Sequence, residues 1–459
     1  RLPHASEKSI SLHSNDFNTF FVNSVNTLFI NSGYSNTEAI SLLKNFKIVP
    51  RVFNWKSVSC EDILNIVAKL RNSKCRDIFD VSVNLLKSVI YLIVEPLTYC
   101  VNECLNNGIF PDSLKFARVV PVFKKGDPSG PENYRPISIL PVFSKIIETV
   151  MKAQIYDFFE LNNYFSNSQY GFRKEMSTVD AVENLISSVL SGFEDHCDTE
   201  LLLCDLTKAF DCVSHELIIN KLQYYGVCGT PLDLFISYLT NRQQSVCFQD
   251  HFSDSIIVDN GVPQGSVLGP LLFLIMINDL PSCIHSDCVL FADDTTLYST
   301  NTNRINLTSA MMEAYDDATE WFQANGFTLN RNKTQSLLLS LRQESENCNV
   351  KFLGIYVDKR LTWEPHVDSL CTRLSRVIYL LRRLKFLVPS AFLKNAYYAF
   401  FHGVIVYGIH IWGNCNSISK ILVLQKKAVR ILTGSVFDAH CSQMRKYLPS
   451  STYISRFVY

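Results

Sequence analysis

The chain has 459 residues, 47% of them hydrophobic and 19% charged, with 43 basic against 43 acidic side chains. That is long enough for about three domains, too apolar for intrinsic disorder, and too balanced overall to advertise a nucleic-acid partner. The balance hides an asymmetry, because from His366 onward there are 13 lysines and arginines against two acidic residues. The 15 cysteines include no CxxC pair, which argues against zinc-finger spacing and leads us to expect reduced thiols, mostly in the core. Residue 1 is arginine rather than methionine, so the chain is expected to be a piece of a longer product.

In chain order, helical periodicity is expected over Phe17–Ile30 and Ile63–Leu70, and a buried helix over Val83–Tyr99 broken by Pro96. Phe116–Phe123 reads as a strand, followed by the polar turn Lys124–Gly130. Leu201–Cys204 is a short apolar run that ends in Asp205, and a helix should run from about Ser214 until Gly226 stops it. Asp211, close to that helix start, would favour its dipole. Cys288–Ala292 and Thr295–Tyr298 flank Asp293-Asp294, so a hairpin with carboxylates at its tip is expected. Further strands are expected over Gly326–Leu329, Leu337–Leu341 and Val350–Val357. After Trp363, Val367, Leu370, Leu374, Val377, Leu381 and Leu384 fall on one helical stripe, with Arg373, Arg376, Arg382 and Arg383 off it. Ala396–Trp412 is apolar enough to be mistaken for a membrane span. It carries two histidines and two glycines and reads as a buried helix, so no membrane partner is expected.

A carboxylate at a strand end and two more at a hairpin tip suit phosphoryl transfer through two divalent cations. Magnesium takes hard oxygen ligands, and crowded carboxylates need a cation's charge to stay ionised. Singly, each aspartate is weak: an Asp-Asp pair in a turn is usually a solvated turn.

The ordered set of motifs is more specific. Leu203-Cys-Asp-Leu-Thr-Lys-Ala-Phe-Asp211 resembles the first catalytic motif of reverse transcriptases. Gly261-Val-Pro-Gln-Gly-Ser-Val-Leu-Gly-Pro-Leu-Leu-Phe273 is similar to their nucleotide-contacting motif, and Phe291-Ala-Asp-Asp294 to their catalytic hairpin. Asn330–Thr334 and Phe352–Tyr356 resemble the two motifs that follow it. Upstream, Asn133–Ser138 and Gln169–Arg173 are similar to fingers motifs of the non-LTR retrotransposon branch, with wording nearest the jockey-like elements. The resemblance runs from about Val119 to Val357.

The resemblance implies an α+β right hand. Residues 1–105 would be an extension after a missing endonuclease, 106–360 the fingers and palm, and 361–459 a basic helical thumb tracking the template–primer backbone. It implies an RNA-directed DNA polymerase in which Asp205, Asp293 and Asp294 hold two Mg²⁺ (Mn²⁺ as an alternative) and Lys333 protonates pyrophosphate. Leu206 would lend its backbone to the triphosphate, Phe210 would exclude a ribose 2′-OH, and Gln264 would touch the nucleotide, with Gly265 allowing close approach. Lys124, Lys125 and Arg135 would neutralise phosphate. Phe352, Leu353 and Gly354 would hold the primer end. Partners would be an RNA template, a DNA primer and dNTPs, in an intracellular ribonucleoprotein of nucleus and cytoplasm. Asn15–Phe21 resembles the linker after the endonuclease, and Met276 stands where relatives often carry tyrosine. The rivals are a group II intron or bacterial reverse transcriptase, an RNA-dependent RNA polymerase, which Phe210 argues against, and a decayed copy that binds RNA without catalysis.

Overall fold

The computed structural model describes residues 12–49, 51–342 and 348–436. Helices α1 (Ser14–Asn31), α2 (Asn36–Leu43), α3 (Cys60–Lys69) and α4 (Val83–Asn107) lead into strands β1 (Phe116–Phe123) and β2 (Tyr134–Ile139). Helices α5 (Val142–Leu161) and α6 (Thr178–Glu194) precede β3 (Asp198–Cys204). Next come α7 (His215–Tyr224), α8 (Thr230–Leu239), β4 (Gln243–Phe248), β5 (His251–Phe252), β6 (Ile256–Ile257) and α9 (Gly269–Ile277). Strands β7 (Asp287–Phe291) and β8 (Asp294–Asn301) are followed by α10 (Arg304–Ala324), then β9 (Gln335–Leu339), β10 (Asn349–Phe352) and β11 (Ile355–Asp358). Helices α11 (Glu364–Leu384), α12 (Ser390–Tyr397), α13 (Gly403–Val406), α14 (Ile409–Trp412) and α15 (Ile418–Thr433) follow. The class is α+β. The last part of the basic segment, residues 437–459, lies outside the described residues.

The chain forms two compact units that interleave along the sequence. The first comprises the described residues up to Lys174, Cys204–Thr295 and Glu313–Lys333; the second comprises Glu175–Leu203, Thr296–Met312 and the described residues from Thr334 on.

In the first unit, β2, β1, β4 and β5 lie in that order, with β6 also on β4. β1 pairs antiparallel with β2 and parallel with β4. Helix α1 lays Phe17 and Phe21 onto Val119, Tyr134 and Val246 of this sheet, with the Phe17 ring 4.8 Å from that of Tyr134, edge-on. The segment expected to be a linker is therefore part of a core. Helix α9 is hydrophobic all round and buried, as such a helix must be. Fully buried Lys221 of α7 donates to Asp279 Oδ1 at 2.5 Å and to the Met276 carbonyl at 2.6 Å, while Trp321 Nε1 donates to Asp279 Oδ2 at 2.9 Å. This pairing ties α7 to the end of α9 and satisfies a charge that could not otherwise be buried.

Helix α4 departs from expectation by running straight through Pro96 to Asn107, where Gly108 in the left-handed region ends it. The carbonyl that proline leaves without a donor belongs to Leu92, which is 83% exposed, so water can satisfy it. By length and composition α4 could cross a membrane. It packs instead on α3, α5 and α8, burying Val83, Leu86, Ile90, Thr98, Val101, Cys104 and Leu105.

In the second unit β3 lies between β8 and β9, and β3 pairs antiparallel with β9, Leu201 opposite Leu337. β10 and β11 form a hairpin whose two turn residues, Leu353 and Gly354, both have left-handed φ, 42° and 92°, as a two-residue turn between twisted strands requires. Helix α11 buries Val367, Leu370, Leu374, Ile378 and Leu381. Ile378 takes the place expected for Val377, because the 3.6-residue period has advanced by then. The four arginines of α11 are exposed. Ala396–Trp412 is not one helix: a π-helical turn at Tyr398–His402 and the left-handed Gly408 divide it. All fourteen described cysteines are free, but only six are buried, fewer than expected.

Phe17→Ala should destabilise the chain by about 3–5 kcal/mol, read as a shift in the denaturant midpoint at unchanged slope. A loss below about 1 kcal/mol would show that α1 is not part of the core.

Candidate active site

Asp205 leaves the end of β3, and its position is set by backbone. Asn330 N donates to the Asp205 carbonyl at 2.8 Å and Thr207 N to the Thr328 carbonyl at 2.9 Å, making one isolated bridge at Leu206–Leu329. The strand expected over Gly326–Leu329 reduces to that bridge. Its consequence is chemical: the chain turns from Asn330 to Lys333, whose N–H donates to the Asn330 carbonyl at 3.0 Å, and the Lys333 ammonium lands 2.9 Å from Asp205 Oδ2. The bridge uses the N–H groups of Thr207 and Asn330, not that of Leu206, and the Leu206 side chain is buried.

Asp293 and Asp294 sit where β7 gives way to β8. The link is Ala292-Asp293, with Ala292 buried at φ 58°. Burial raises the Asp293 carboxyl above the usual range, and Asp205 adds to the effect. Asp294 keeps much of its surface in water, yet lost hydration, then Asp293, then Asp205, push it up to about 6. Asp205 thus acts on both carboxyls of the hairpin tip. Cations lie close by. Lys124 is lowered first by burial, then by Arg135, Lys333 and Lys125, while Asp205 raises it. The turn after β1, the start of β2 and the Asn330–Lys333 turn therefore come together around Lys124, with Asp205 among its neighbours.

Phe210 lies five residues before the start of α7, its ring stacked on Phe273 at 4.5 Å and edge-on to Phe172 at 6.1 Å. Val262 N donates to the Phe210 carbonyl and Gly261 N to that of Val213. A Cβ on Gly261 would meet the Asp211 carbonyl at 2.5 Å, so glycine is what lets these two motif segments touch. Gln264 follows, and its Nε2 donates to both carboxylate oxygens of Asp211, at 2.9 and 3.1 Å. Asp211 is not a helix-start residue: Ser214 caps α7, accepting from Leu217 N, and Asp211 orients Gln264 instead. Burial raises the Asp211 carboxyl, and Gln264 and Lys208 oppose that. The close approach at Gly265 (φ 126°) is to protein backbone, where a Cβ would stand 2.5 Å from the Ser138 carbonyl. Ser138 N donates in turn to the Gln264 carbonyl at 2.9 Å. Phe352, Leu353 and Gly354 lie in the second unit, where Phe352 is buried and the Leu353 carbonyl accepts from Tyr407 Oη.

Among the described residues no three His, Cys, Asp or Glu side chains close into a ready cage for a metal ion. Hard oxygens on Asp205, Asp293 and Asp294, in electrostatic contact, nonetheless fit the donor set magnesium takes, since it is held by one or two carboxylates plus substrate phosphates rather than by an all-protein cage.

The sequence profile described as reverse transcriptase (RNA-dependent DNA polymerase) matches residues 122–357. The chain belongs to the reverse transcriptase family. It is 29% identical over 452 residues to the probable RNA-directed DNA polymerase from transposon BS of Drosophila melanogaster, covering 90% of this chain and 49% of that protein. It is 28% identical over 425 residues to the probable RNA-directed DNA polymerase from transposon X-element of the same species, covering 86% and 46%. With the RNA-directed DNA polymerase from mobile element jockey it shares 25% over 412 residues, 83% and 44%. The chain spans about half the length of these relatives.

A carboxyl raised in the fold lends stability while protonated and loses it on ionising. For Asp294 that stability is complete below about pH 4 and is gone once the pH has risen through about 6. With divalent cations chelated, Asp294→Asn should therefore melt above the parent by a gap that opens between these values and then holds. Discounted for solvent screening, the gap is about 1–2 °C in a chain of this length. A gap independent of pH would contradict the crowding.

Proposed function

We propose that this chain is the polymerase part of a non-LTR retrotransposon reverse transcriptase, extending a DNA 3′-OH on an RNA template. The observation that carries the proposal is the convergence of Asp205, Asp293 and Asp294 with Lys333, Lys124, Lys125 and Arg135. Acids that repel one another, ringed by cations, fit a centre that receives divalent ions on one side and a triphosphate on the other.

Two magnesium ions, when bound, would supply activation of the 3′-OH and stabilisation of the leaving pyrophosphate. Asp205, Asp293 and Asp294 would hold them through their carboxylate oxygens. Lys124, Lys125 and Arg135 would meet the triphosphate, and the Leu206 N–H would add a backbone donor. Lys333, whose ammonium lies 2.9 Å from Asp205 Oδ2, would deliver a proton to a pyrophosphate oxygen. Phe210, braced by Phe273 and Phe172, offers a rigid ring where a ribose 2′-OH would collide, which favours deoxynucleotides over the ribonucleotides of an RNA polymerase. Gln264, with its Nε2 committed to Asp211, has its amide oxygen left for the nucleotide.

In hand terms, residues 106–360 would supply fingers and palm. The arginines of α11 would track the hybrid's phosphates as part of a thumb from residue 361, reading shape rather than sequence. The turn at Phe352–Gly354 would hold the primer end. A ribonucleoprotein with element RNA, acting in nucleus and cytoplasm, is the setting this reading implies.

Primer extension on an RNA template with Mg²⁺ and dNTPs tests the proposal. The parent should extend, and the Asp293→Ala, Asp294→Ala double variant should fall by at least about a thousandfold while still binding the hybrid. A folded parent that binds the hybrid and never extends it would make this a remnant without working chemistry.

A further inference from the structure

The metal-binding hairpin has a neighbour outside the motifs that carry the chemistry. Ser168–Gly171 runs beside β7: Leu290 N donates to the Ser168 carbonyl at 2.8 Å, and Tyr170 N to the Leu290 carbonyl at 2.9 Å, with Gln169 and Leu290 forming a parallel bridge. Gln169 is 1% exposed. Its Oε1 accepts from Ala292 N at 3.2 Å and from Gly171 N at 2.7 Å. Ala292 is the residue before Asp293, and it is held at φ 58°, where residues other than glycine are strained. Gly171 presses on the same peptide so closely that a Cβ there would lie 2.3 Å from Ala292 N.

The Gln169 amide is oriented by two donors, both aimed at its oxygen. Its Nε2 is buried without a hydrogen-bond partner among the described residues. The side chain therefore sits at the hairpin for its oxygen, which satisfies an inward-pointing N–H that the strained turn would otherwise leave unpaired.

We infer that Gln169 is a positioning residue, fixing the Ala292 peptide and with it the place of the Asp293 carboxylate. This rests on the reading of Asp293 as a metal ligand. Asp293 follows the clamped peptide directly, so loosening Ala292 moves the carboxylate without touching its chemistry. Outer contacts of this kind are worth about 10- to 100-fold in metal affinity or activity.

The test compares the full chain with Gln169→Met, which keeps the length but loses the acceptor, and Val150→Ala, a buried change on α5 that lowers stability elsewhere. For Gln169→Met, kcat should fall about 10- to 100-fold and the Mg²⁺ concentration for half-maximal rate should rise about tenfold. The nucleotide KM and hybrid affinity should stay within about twofold, and Val150→Ala should leave the Mg²⁺ midpoint alone. Independently of activity, the Ala292 amide should exchange hydrogen at least about tenfold faster in Gln169→Met. Gln169→Glu, which retains an acceptor oxygen, should keep that amide protected. Unchanged exchange and an unchanged Mg²⁺ midpoint in Gln169→Met, a matching shift in Val150→Ala, or loss of protection in Gln169→Glu would each overturn the inference. A parent that fails to polymerise would sink the proposed activity, while the exchange measurement would still decide the clamp.

Discussion

Two carboxyls at the hairpin tip, Asp293 and Asp294, are raised by lost hydration and by the charge of Asp205, and the fold holds them beside it all the same. Asp294 also feels Asp293. Such a cluster opposes folding unless other contacts fix it, and it gains from any cation that arrives. The protein supplies part of the compensation itself: Lys333 lies directly on Asp205, and Lys124 with Arg135 adds positive charge nearby.

The contacts that hold the cluster are mostly backbone. Asp205 is fixed through the Thr328–Asn330 segment, the hairpin tip through Gln169, and Gln264 through Gly261 and Ser138. At Gly171, Gly261 and Gly265 a side chain would strike a neighbouring main chain at 2.3–2.5 Å. These glycines permit main-chain segments from distant parts of the chain to touch beside the carboxylates.

Much of this was legible in the sequence. An apolar run ending in Asp205, and two β-prone runs around Asp293-Asp294, signal strand ends bearing acids, and both are found. The Leu353-Gly354 turn and the α11 stripe were equally plain, because local periodicity determines them. What escaped was set by long-range contact. Pro96 is carried inside a helix because its orphan carbonyl faces water. Thr328–Leu329 has strand composition but finds only one bridge partner. Asp211 looks like a helix-start acid, and only the fold shows Gln264 bonded to it. Gln169 lies 123 residues from Ala292, a separation at which no pattern of spacing could reveal the clamp.

The most direct measurement of a shared cation site is iron(II)-directed cleavage of the chain bound to template–primer, with iron replacing magnesium and generating hydroxyl radicals where it is held. One site built from Asp205, Asp293 and Asp294 should yield two sets of cuts together, near residue 205 and near residues 293–294, both suppressed by excess Mg²⁺. Cuts at only one of these places, or at neither, would contradict the account.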